Sequence, residues 1–401
     1  MEQASGQLAR RVAEAARAGE APAGSGMNPR LLFAAYMAGG NATILKNLED
    51  QISGRPDVSS AWLGVEMDAE SKRLDRRPRR SLLPGTIRNS LLTGWEIGKL
   101  ERQGGRFDAA WFFQQTICMF LWRFRSRVPY VVAMDGTPPW YARNGLWYTV
   151  HRFDPRSLSA RLKQELTRRV YAKAFHLLPL SWSCRQSLID DYGIEPDRIT
   201  VVPPGIDLAT YVAPDRQGRS EAGRRLQLLF IGADFTRKGG DLLVKLAQEP
   251  AFEDVQFNFV THAYKGPAAK NIRVFEGITT NSPQMVALLR EADLYALPTR
   301  ADSHAIASLE AMAMGLPVIS TPTGGVTEVV QEGETGYLVP RDDLAALADR
   351  IRRLRADRGL RLRMGAAGRR RVEAHFNAQT IARTVVDLLK RAAASRSQQP
   401  R

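Results

Sequence analysis

Residues 293–330 contain the pattern that most limits how this chain can fold. A short apolar run, Leu294–Leu297, precedes a polar loop and an Ala/Met/Leu segment that ends at Gly315. A second apolar run, Val318–Ser320, follows, and Gly324–Gly325 opens another amphipathic segment. Strands that alternate with helices predict a parallel sheet, because parallel strands need a long crossover that is usually a helix.

Two carboxylates lie where ligands bind in such a sheet. Asp302 falls in the loop at the carboxyl end of the first strand, and Glu310 lies one to two turns into the helix. Both would face the crevice of an open parallel sheet. Backbone amides at 303–306 and 325–327 start helices and offer donors to an anion. Backbone amides can bind a diphosphate, and carboxylates can bind the hydroxyls of a sugar. The combination suggests a nucleotide sugar. The alternative is an ordinary strand–helix–strand unit with solvated acids.

The whole string resembles the E-x7-E signature of the retaining glycosyltransferases of family 4, which have the GT-B fold. The matching residues are Asp302-x7-Glu310, then Ala-Met-Ala-Met-Gly-Leu-Pro-Val, then Gly-Gly-Val-Thr-Glu-Val-Val. The first acid is Asp, one methylene shorter than the family's usual Glu. The resemblance implies that Glu310 binds the ribose of the nucleotide, that Asp302 lies near the donor sugar, and that four neighbours also bind the donor: Ser303, His304, Ala305 and Ile306.

The same resemblance implies the whole architecture. We expect an α/β protein of the GT-B type, with two Rossmann-like domains whose parallel sheets face each other across a cleft. A C-terminal helix should cross back to the first domain. The predicted parts are a flexible tail (1–26), an acceptor-binding domain (27–205), a nucleotide-sugar-binding domain (206–375) and the crossing helix with its tail (376–401). The string Pro203-Pro204-Gly205-Ile206-Asp207 resembles the family's linker between domains.

A basic loop follows the predicted buried strand at Leu226–Gly232, which opens the second domain. A Lys-Gly pair at the end of a strand places an ammonium over the crevice, and the loop resembles the family's R-K-G loop. The resemblance puts Lys238 on the pyrophosphate and Gly232 in the donor site. The family often has Arg directly after that glycine; here the position is Ala233, so we expect Arg237 to supply the second cation. The alternative is that both basic residues begin a solvated helix.

The first domain carries weaker signals. The apolar strand Leu31–Tyr36 leads into a Gly-Gly turn and a helical pattern. The turn is not GxGxxG, so it does not indicate NAD, but the resemblance supports Gly39 and Gly40 as a loop that lets the donor phosphate or the acceptor approach. Asp135 ends the predicted strand Tyr130–Met134, where it is a candidate acceptor contact or a residue that stabilises the turn. Further patterns predict a helix over Thr116–Arg125 and a strand over Ile199–Val202.

The net charge of +15 has three explanations. Nucleic-acid binding would fit the charge, but no motif for it accompanies the basic residues, so we expect no nucleic-acid partner. Peripheral contact with an anionic membrane fits residues 72–80 (KRLDRRPRR). The third explanation, that the arginines are solvated and pair with acids that lie between them in the sequence, fits residues 350–371. Without a visible secretory signal or a run of the roughly 18 apolar residues that a spanning helix needs, we expect a cytoplasmic protein, peripheral to the membrane at most.

These observations predict a retaining glycosyltransferase that moves a sugar from a nucleotide-sugar donor to a carbohydrate, lipid-linked or small-molecule acceptor. Asp302, Glu310, Lys238 and Arg237 form the predicted catalytic set, and the two cations stabilise the leaving nucleoside diphosphate. We expect no cofactor and no metal, because the basic loop balances the charge. Two alternatives remain open. One is a nucleotide-sugar epimerase, which His304 favours; the other is an inactive scaffold, which Ala233 and Asp302 favour.

Overall fold

The computed structural model describes residues 28–37, 40–65, 85–145, 158–219, 223–264 and 266–397. The first lobe contains a five-stranded parallel sheet in the order β2-β1-β3-β4-β5. Its strands are Arg30–Tyr36 (β1), Ser59–Val65 (β2), Ala109–Phe113 (β3), Tyr130–Met134 (β4) and His176–Pro179 (β5). Its helices are Asn41–Ile52 (α1), Gly85–Gly104 (α2), Trp122–Arg127 (α3), Pro138–Arg143 (α4), Leu158–Lys173 (α5) and Trp182–Tyr192 (α6).

The second lobe contains a six-stranded parallel sheet in the order β11-β10-β9-β6-β7-β8. Its strands are Leu226–Ile231 (β6), Val255–Val260 (β7), Ile272–Phe275 (β8), Leu294–Leu297 (β9), Val318–Ser320 (β10) and Gly336–Leu338 (β11). The helices that follow β6 are Gly240–Ala247 (α7), Pro283–Glu291 (α8), Ile306–Ala313 (α9), Val326–Val329 (α10), Leu344–Ala356 (α11), Arg358–His375 (α12) and Ala378–Ser397 (α13).

The strands form where the apolar runs predict them because helices cover both faces of each sheet. Every residue of β3, β4, β7 and β9 is buried. Of these strands, β3, β4 and β9 read as continuous apolar runs, as strands buried on both faces do, whereas β7 also contains the buried Gln256 and Asn258. Side-chain caps start several helices: the Ser181 hydroxyl accepts a hydrogen bond from the Cys184 amide at 3.1 Å, and an Asp343 carboxylate oxygen accepts one from the Ala346 amide at 2.8 Å.

The last helix belongs physically to the first lobe. Val386 and Leu389 of α13 are fully buried in the cluster that contains Phe33 and Trp111 of the first sheet. The two segments that cross between the lobes also bond to each other, since the Ile206 amide donates to the Phe376 carbonyl at 2.7 Å and the Ala378 amide donates to the Ile206 carbonyl at 3.0 Å. The predicted fold of two Rossmann-like lobes with a returning helix is confirmed.

Some local predictions are wrong. Ile199–Val202 is not a strand, because only Ile199 makes a bridge to the sheet. The predicted helix Thr116–Arg125 is a 3₁₀ turn, Gln115–Ile117, followed by α3, since the backbone leaves the helical region at Leu121 (φ −88°, ψ 46°). The strand β2 and the helix α2 were not predicted. The buried face of α2 consists largely of small polar residues, so it lacks the apolar stripe that indicates a helix.

The basic segment 350–371 is less solvated than the sequence indicates. Arg355 and Arg369 do pair with acids, at 2.9 and 2.6 Å respectively. However, Arg361 is 5% exposed and donates to two backbone carbonyls. Arg369 also donates to the carbonyls of Tyr211 (2.6 Å) and Ala313 (2.7 Å). These arginines therefore join helix ends and loops. The predicted tail at 1–26 and the basic residues 72–80 lie outside the described residues.

Replacing a buried residue of α13 should test the role of this helix in the first lobe. We expect Leu389→Ala to lower the free energy of unfolding by about 3 kcal/mol, because a buried leucine is replaced by a cavity between the helix and the sheet. Arg383→Ala, on the exposed face of the same helix, is the control and should change it by less than about 0.5 kcal/mol. Chemical denaturation of both variants measures the difference, and equal effects would contradict the packing described.

Candidate functional site

A cleft of about 1150 Å³ lies between the two lobes. Residues at the carboxyl ends of both sheets line it, as expected for ligand sites in open parallel sheets. The first lobe contributes Gly40, Gln114, Asp135 and Tyr141. The second lobe contributes nine of the predicted residues: Gly232, Arg237, Lys238, Asp302, Ser303, His304, Ala305, Ile306 and Glu310. The volume slightly exceeds the range of typical small-ligand pockets. All the predicted site residues that the structure describes therefore meet in one cleft; Gly39 lies outside the described residues.

The loop between β6 and α7 holds Lys238 over the cleft. Gly239 has a φ of +81°, and a Cβ there would lie 2.0 Å from the Pro298 carbonyl oxygen, so only glycine fits. The Lys238 ammonium forms an ion pair with Asp302, and the two side chains are only 17% and 9% exposed. Lys238, predicted to bind the phosphate, and Asp302, predicted to lie near the sugar, are thus partners of each other.

Asp302 is held as a carboxylate. Burial opposes its ionisation, but the Lys238 ammonium and a hydrogen bond from the Ala305 amide outweigh burial and hold the pKa of the carboxyl below its usual value. The Ala305 amide lies 3.2 Å from Oδ1. Asp302 therefore stays ionised while it remains in contact with Lys238.

Glu310 has the opposite electrostatic environment. It is 3% exposed, and burial raises the pKa of its carboxyl to about 7, although a hydrogen bond with Tyr211 lowers it in part. Within the described chain, no cation contributes to this pKa. Two carboxylates in one cleft thus have pKa values pushed in different directions, which is common at functional sites.

Arg237 is fixed more firmly than the sequence indicates. Its Nε donates to Asp234 at 2.8 Å, and another guanidinium nitrogen donates to the Ala301 carbonyl at 2.8 Å. The side chain remains 24% exposed and lines the cleft. Asp234 lies within the basic loop, and its role as a partner of Arg237 was not predicted.

Several backbone amides predicted to bind an anion are already paired. The Gly325 amide donates to the Ser303 carbonyl at 2.7 Å, and the Val326 amide donates to the Thr323 carbonyl at 3.0 Å. The prediction for these two amides is therefore wrong, since the loop at Ser303 occupies the first and a local turn occupies the second. In contrast, the amides of Ile306 and Ala307 in the first turn of α9 have no acceptor among the described residues. A Cβ on Gly40 would lie 2.9 Å from the Ile306 side chain, so this glycine lets the first lobe approach that turn.

His304 is buried at the wall of the cleft. It is 5% exposed. Burial holds the pKa of the ring below its usual value, so the imidazole is neutral at neutral pH. A Cβ on Gly325 would lie 3.0 Å from Nε2, so glycine there makes room for the ring.

Asp135 does not stabilise its own turn. Its carboxylate accepts hydrogen bonds from the Tyr141 hydroxyl and from the Gln114 side-chain amide. Gln114 has a φ of +76°, which is unusual for a residue other than glycine. This polar cluster lines the cleft on the side of the first lobe, and the acceptor role of Asp135 stays a prediction. Tyr141 and Gln114 were not predicted, because nothing local in the sequence distinguishes them.

The described residues include no group of three His, Cys, Asp or Glu side chains that could hold a metal ion. Nor does any helix in these residues have the length and apolar character needed to cross a membrane.

Two family models match this chain. Residues 55–210 match the model described as Glycosyltransferase Family 4, and residues 225–357 match Glycosyl transferases group 1. The chain is similar to the D-inositol 3-phosphate glycosyltransferase of Acidothermus cellulolyticus, with 33% identity over 218 residues that cover 48% of each chain. The enzyme of that name from Nocardia farcinica is 30% identical over 244 residues, which cover 56% of this chain and 53% of the relative. The chain thus spans about half the length of the curated relatives it matches.

Solved structures share the fold. Sucrose-phosphate synthase from Thermosynechococcus elongatus superposes with a TM-score of 0.70 at 17% identity, covering 92% of this chain and 100% of that one. HepE from Anabaena, solved in complex with UDP-glucose, gives a TM-score of 0.63 at 17% identity, covering 90% and 100% of the two chains.

The raised pKa of Glu310 predicts a pH-dependent stability. The folded protein keeps a proton on Glu310 up to about pH 7, whereas the unfolded chain releases it near its usual value of 4.5. The stabilisation is fully present below pH 4.5 and is lost as the pH rises through 7. Wild type should therefore lose up to about 3 kcal/mol relative to Glu310→Gln between pH 5 and 8. Melting temperatures of both proteins across this range measure it; parallel curves would reject the assignment.

Proposed function

Because this chain belongs to the family 4 and group 1 glycosyltransferases, we propose that it transfers a sugar from a nucleoside diphosphate sugar to an acceptor with retention of anomeric configuration. The observation that carries the proposal is the buried Lys238–Asp302 pair beside Glu310 at the carboxyl ends of the second sheet. HepE, which shares the fold, is named as a complex with UDP-glucose, and this supports a nucleotide-sugar donor.

The donor would lie on the wall of the second lobe. Glu310 would accept hydrogen bonds from the ribose hydroxyls, while Lys238 and the Ile306 and Ala307 amides would bind the diphosphate. A diphosphate that reaches Lys238 must compete with Asp302 for the ammonium. Once displaced, the Asp302 carboxylate is free to accept a hydrogen bond from a hydroxyl of the donor sugar.

This arrangement would stabilise the leaving nucleoside diphosphate electrostatically during the reaction. As the bond between the anomeric carbon and the phosphate oxygen breaks, negative charge grows on the diphosphate. Each well-aimed donor at that oxygen is worth about 3 kcal/mol. For retention, we propose that the acceptor oxygen attacks from the face that the phosphate leaves, and that its proton moves to the departing phosphate oxygen. Asp302 would position the sugar and would not act as the nucleophile.

The acceptor would lie against Asp135, Gln114 and Tyr141 of the first lobe. A carbohydrate or lipid-linked acceptor fits a wall of hydrogen-bonding side chains. The matched relatives are named for D-inositol 3-phosphate, which supports a small phosphorylated polyol as the second candidate.

A donor panel tests the activity. We expect one of the UDP-, GDP-, TDP- or ADP-sugars to raise the melting temperature and to release nucleoside diphosphate slowly in water.

Lys238→Ala and Glu310→Ala should each cut turnover by about two orders of magnitude. Lys245→Ala, on the exposed face of α7, is the matched lysine control and should retain wild-type rates. Wild-type rates in the two cleft variants would reject the site. No shift with any donor, together with tight binding of a protein or polynucleotide, would support the scaffold alternative.

We also propose peripheral contact with an anionic membrane through the first lobe. The basic residues 72–80 precede α2, whose exposed face carries Leu91 and Trp95, 56% and 58% exposed. Trp122, 66% exposed, begins the nearby α3. A basic segment that is followed in the sequence by a helix with exposed aromatic and aliphatic side chains is typical of proteins that bind at the membrane interface.

Charge removal tests this contact. Neutralising Arg76, Arg77, Arg79 and Arg80 to glutamine should weaken binding to phosphatidylglycerol vesicles at least ten-fold, because each basic residue near the surface is worth about 1 kcal/mol. Cosedimentation measures the binding. The charge-matched control neutralises four exposed arginines elsewhere: Arg352, Arg363, Arg370 and Arg383. Equal binding by the two variants would end the proposal.

A further inference from the structure

A carboxylate of the second lobe caps a helix of the first lobe. Glu328 accepts a hydrogen bond from the Trp182 amide, at 2.9 Å from Oε2, and another from the Ser183 amide, at 3.1 Å from Oε1. These are the first two amides of α6, and the third, that of Cys184, donates to the Ser181 hydroxyl. The first turn of α6 therefore depends on the other lobe for two of its three acceptors.

This cap is stronger than a contact between neutral groups. A hydrogen bond from an amide to a carboxylate is about twice as strong as one between neutral partners, and the positive end of the helix dipole adds to the attraction. Glu328 is half-buried, so water and salt screen the contact only in part. One side chain thus supplies a firm polar link between the two lobes.

The backbone that carries Glu328 is fixed within the second lobe. The Arg371 guanidinium of α12 donates to the carbonyls of Glu328 and Val329, at 2.6 and 3.1 Å. These carbonyls lie at the end of α10, which has only four residues. Because Arg371 ties this short helix to α12, the cap joins α6 to the body of the second lobe.

The cap is continuous with the loop that carries Asp302. Gly324, just before α10, has a φ of +52°, and a Cβ there would collide with the Asp302 carbonyl oxygen and would lie 3.1 Å from Trp140 Cη2. Trp140 of the first lobe packs on Ala301. Its indole Nε1 donates to Ser183 Oγ at 3.0 Å, beside the amide that Glu328 accepts from. The contact therefore extends from the start of α6 to the loop of the cleft.

We propose that Glu328 is a positioning residue that holds the two lobes closed over a bound nucleotide. The role rests on the proposed function, because it takes a nucleoside diphosphate as the ligand of the cleft. In the closed arrangement, Gly40 of the first lobe lies against Ile306, whose amide would bind the diphosphate. The nucleotide leaves when the lobes separate, and separation breaks the cap of α6. Glu328 therefore sets the fraction of open protein and the rate of release.

The rate of nucleotide release tests this role. Stopped-flow displacement of UDP, or of GDP, TDP or ADP if wild type binds one of these instead, should be about ten-fold faster from Glu328→Gln than from wild type. The carboxamide is neutral and has one oxygen where the carboxylate has two. Glu334→Gln, at an exposed position in the next loop, is the control and should release the nucleotide at the wild-type rate.

Two substitutions of Trp182 isolate the amide that bonds to Glu328. Trp182→Pro removes the N–H, whereas Trp182→Ala removes the same side chain and keeps the N–H. Proline suits the first position of a helix, and the preceding Ser181 has the extended backbone (φ −141°, ψ 158°) that proline requires of its neighbour. Trp182→Pro should release the nucleotide about five-fold faster than Trp182→Ala. In the Glu328→Ala background the two should release it equally, because the acceptor is gone.

Separation of the lobes can be measured without a nucleotide. Both native cysteines are buried, so dyes can be placed on cysteines introduced at the exposed positions Arg102 and Gln248, one in each lobe. Single-molecule energy transfer between the dyes should show about ten-fold more open protein in Glu328→Gln than in wild type, and no change in Glu334→Gln.

The outcomes separate the two proposals. If Glu328→Gln and Glu334→Gln show equal release rates and equal open fractions, the role of Glu328 is wrong while the proposed function stands. If wild type binds none of the four nucleotides, the proposed function fails, and the energy-transfer measurement still decides whether Glu328 holds the lobes together. Should Trp182→Pro not fold, the comparison of the two glutamine variants remains decisive.

Discussion

The buried ion pair of Lys238 and Asp302 is the interaction on which the rest of the cleft depends. Two charges this far from water are stable only while each compensates the other, because removing one partner leaves an uncompensated buried charge. The turn at Gly239 and the amide of Ala305 hold the two groups in place. A ligand can therefore occupy the site only by bringing its own negative charge to Lys238 and a donor to Asp302. A sugar attached to a diphosphate meets both requirements in one molecule.

The sequence predicts this part of the site because its chemistry is local. Lys238 and Asp302 lie in the loops that follow β6 and β9, Glu310 lies in the helix after the second loop, and the carboxyl ends of parallel strands meet at one edge of the sheet. The hydrogen bonds that the Tyr211 hydroxyl donates to Asn281 (2.8 Å) and that Asn281 donates to Asn47 (3.0 Å) could not be predicted in this way. The residues that they join come from different loops and from both lobes, and only the path of the chain across the linker brings them together.

The wrong prediction of an anion site at residues 325–327 has a physical cause. The segment 325–327 was predicted to bind an anion because it starts a helix, but α10 has only four residues, the Gly325 amide before it bonds to the Ser303 carbonyl, and the Val326 amide closes a turn with Thr323. The first turn of α9, in an eight-residue helix, keeps its amides at Ile306 and Ala307 available. A helix start thus binds an anion only where the preceding loop does not use the same donors.

Several of the contacts between the two lobes are polar. The Glu328 carboxylate of the second lobe accepts hydrogen bonds from the Trp182 and Ser183 amides, at 2.9 and 3.1 Å, and so caps α6 of the first lobe. Besides the α13 packing, Trp140 packs on Ala301, and Ile306 of the second lobe packs on the cluster that contains Phe33 and Trp111. Polar contacts between lobes can be exchanged for water at low net cost, unlike a buried apolar face. Because α13 packs on the first lobe, the chain crosses between the lobes near Gly205 and again near Phe376, so a change in the angle between the lobes would act on these two segments.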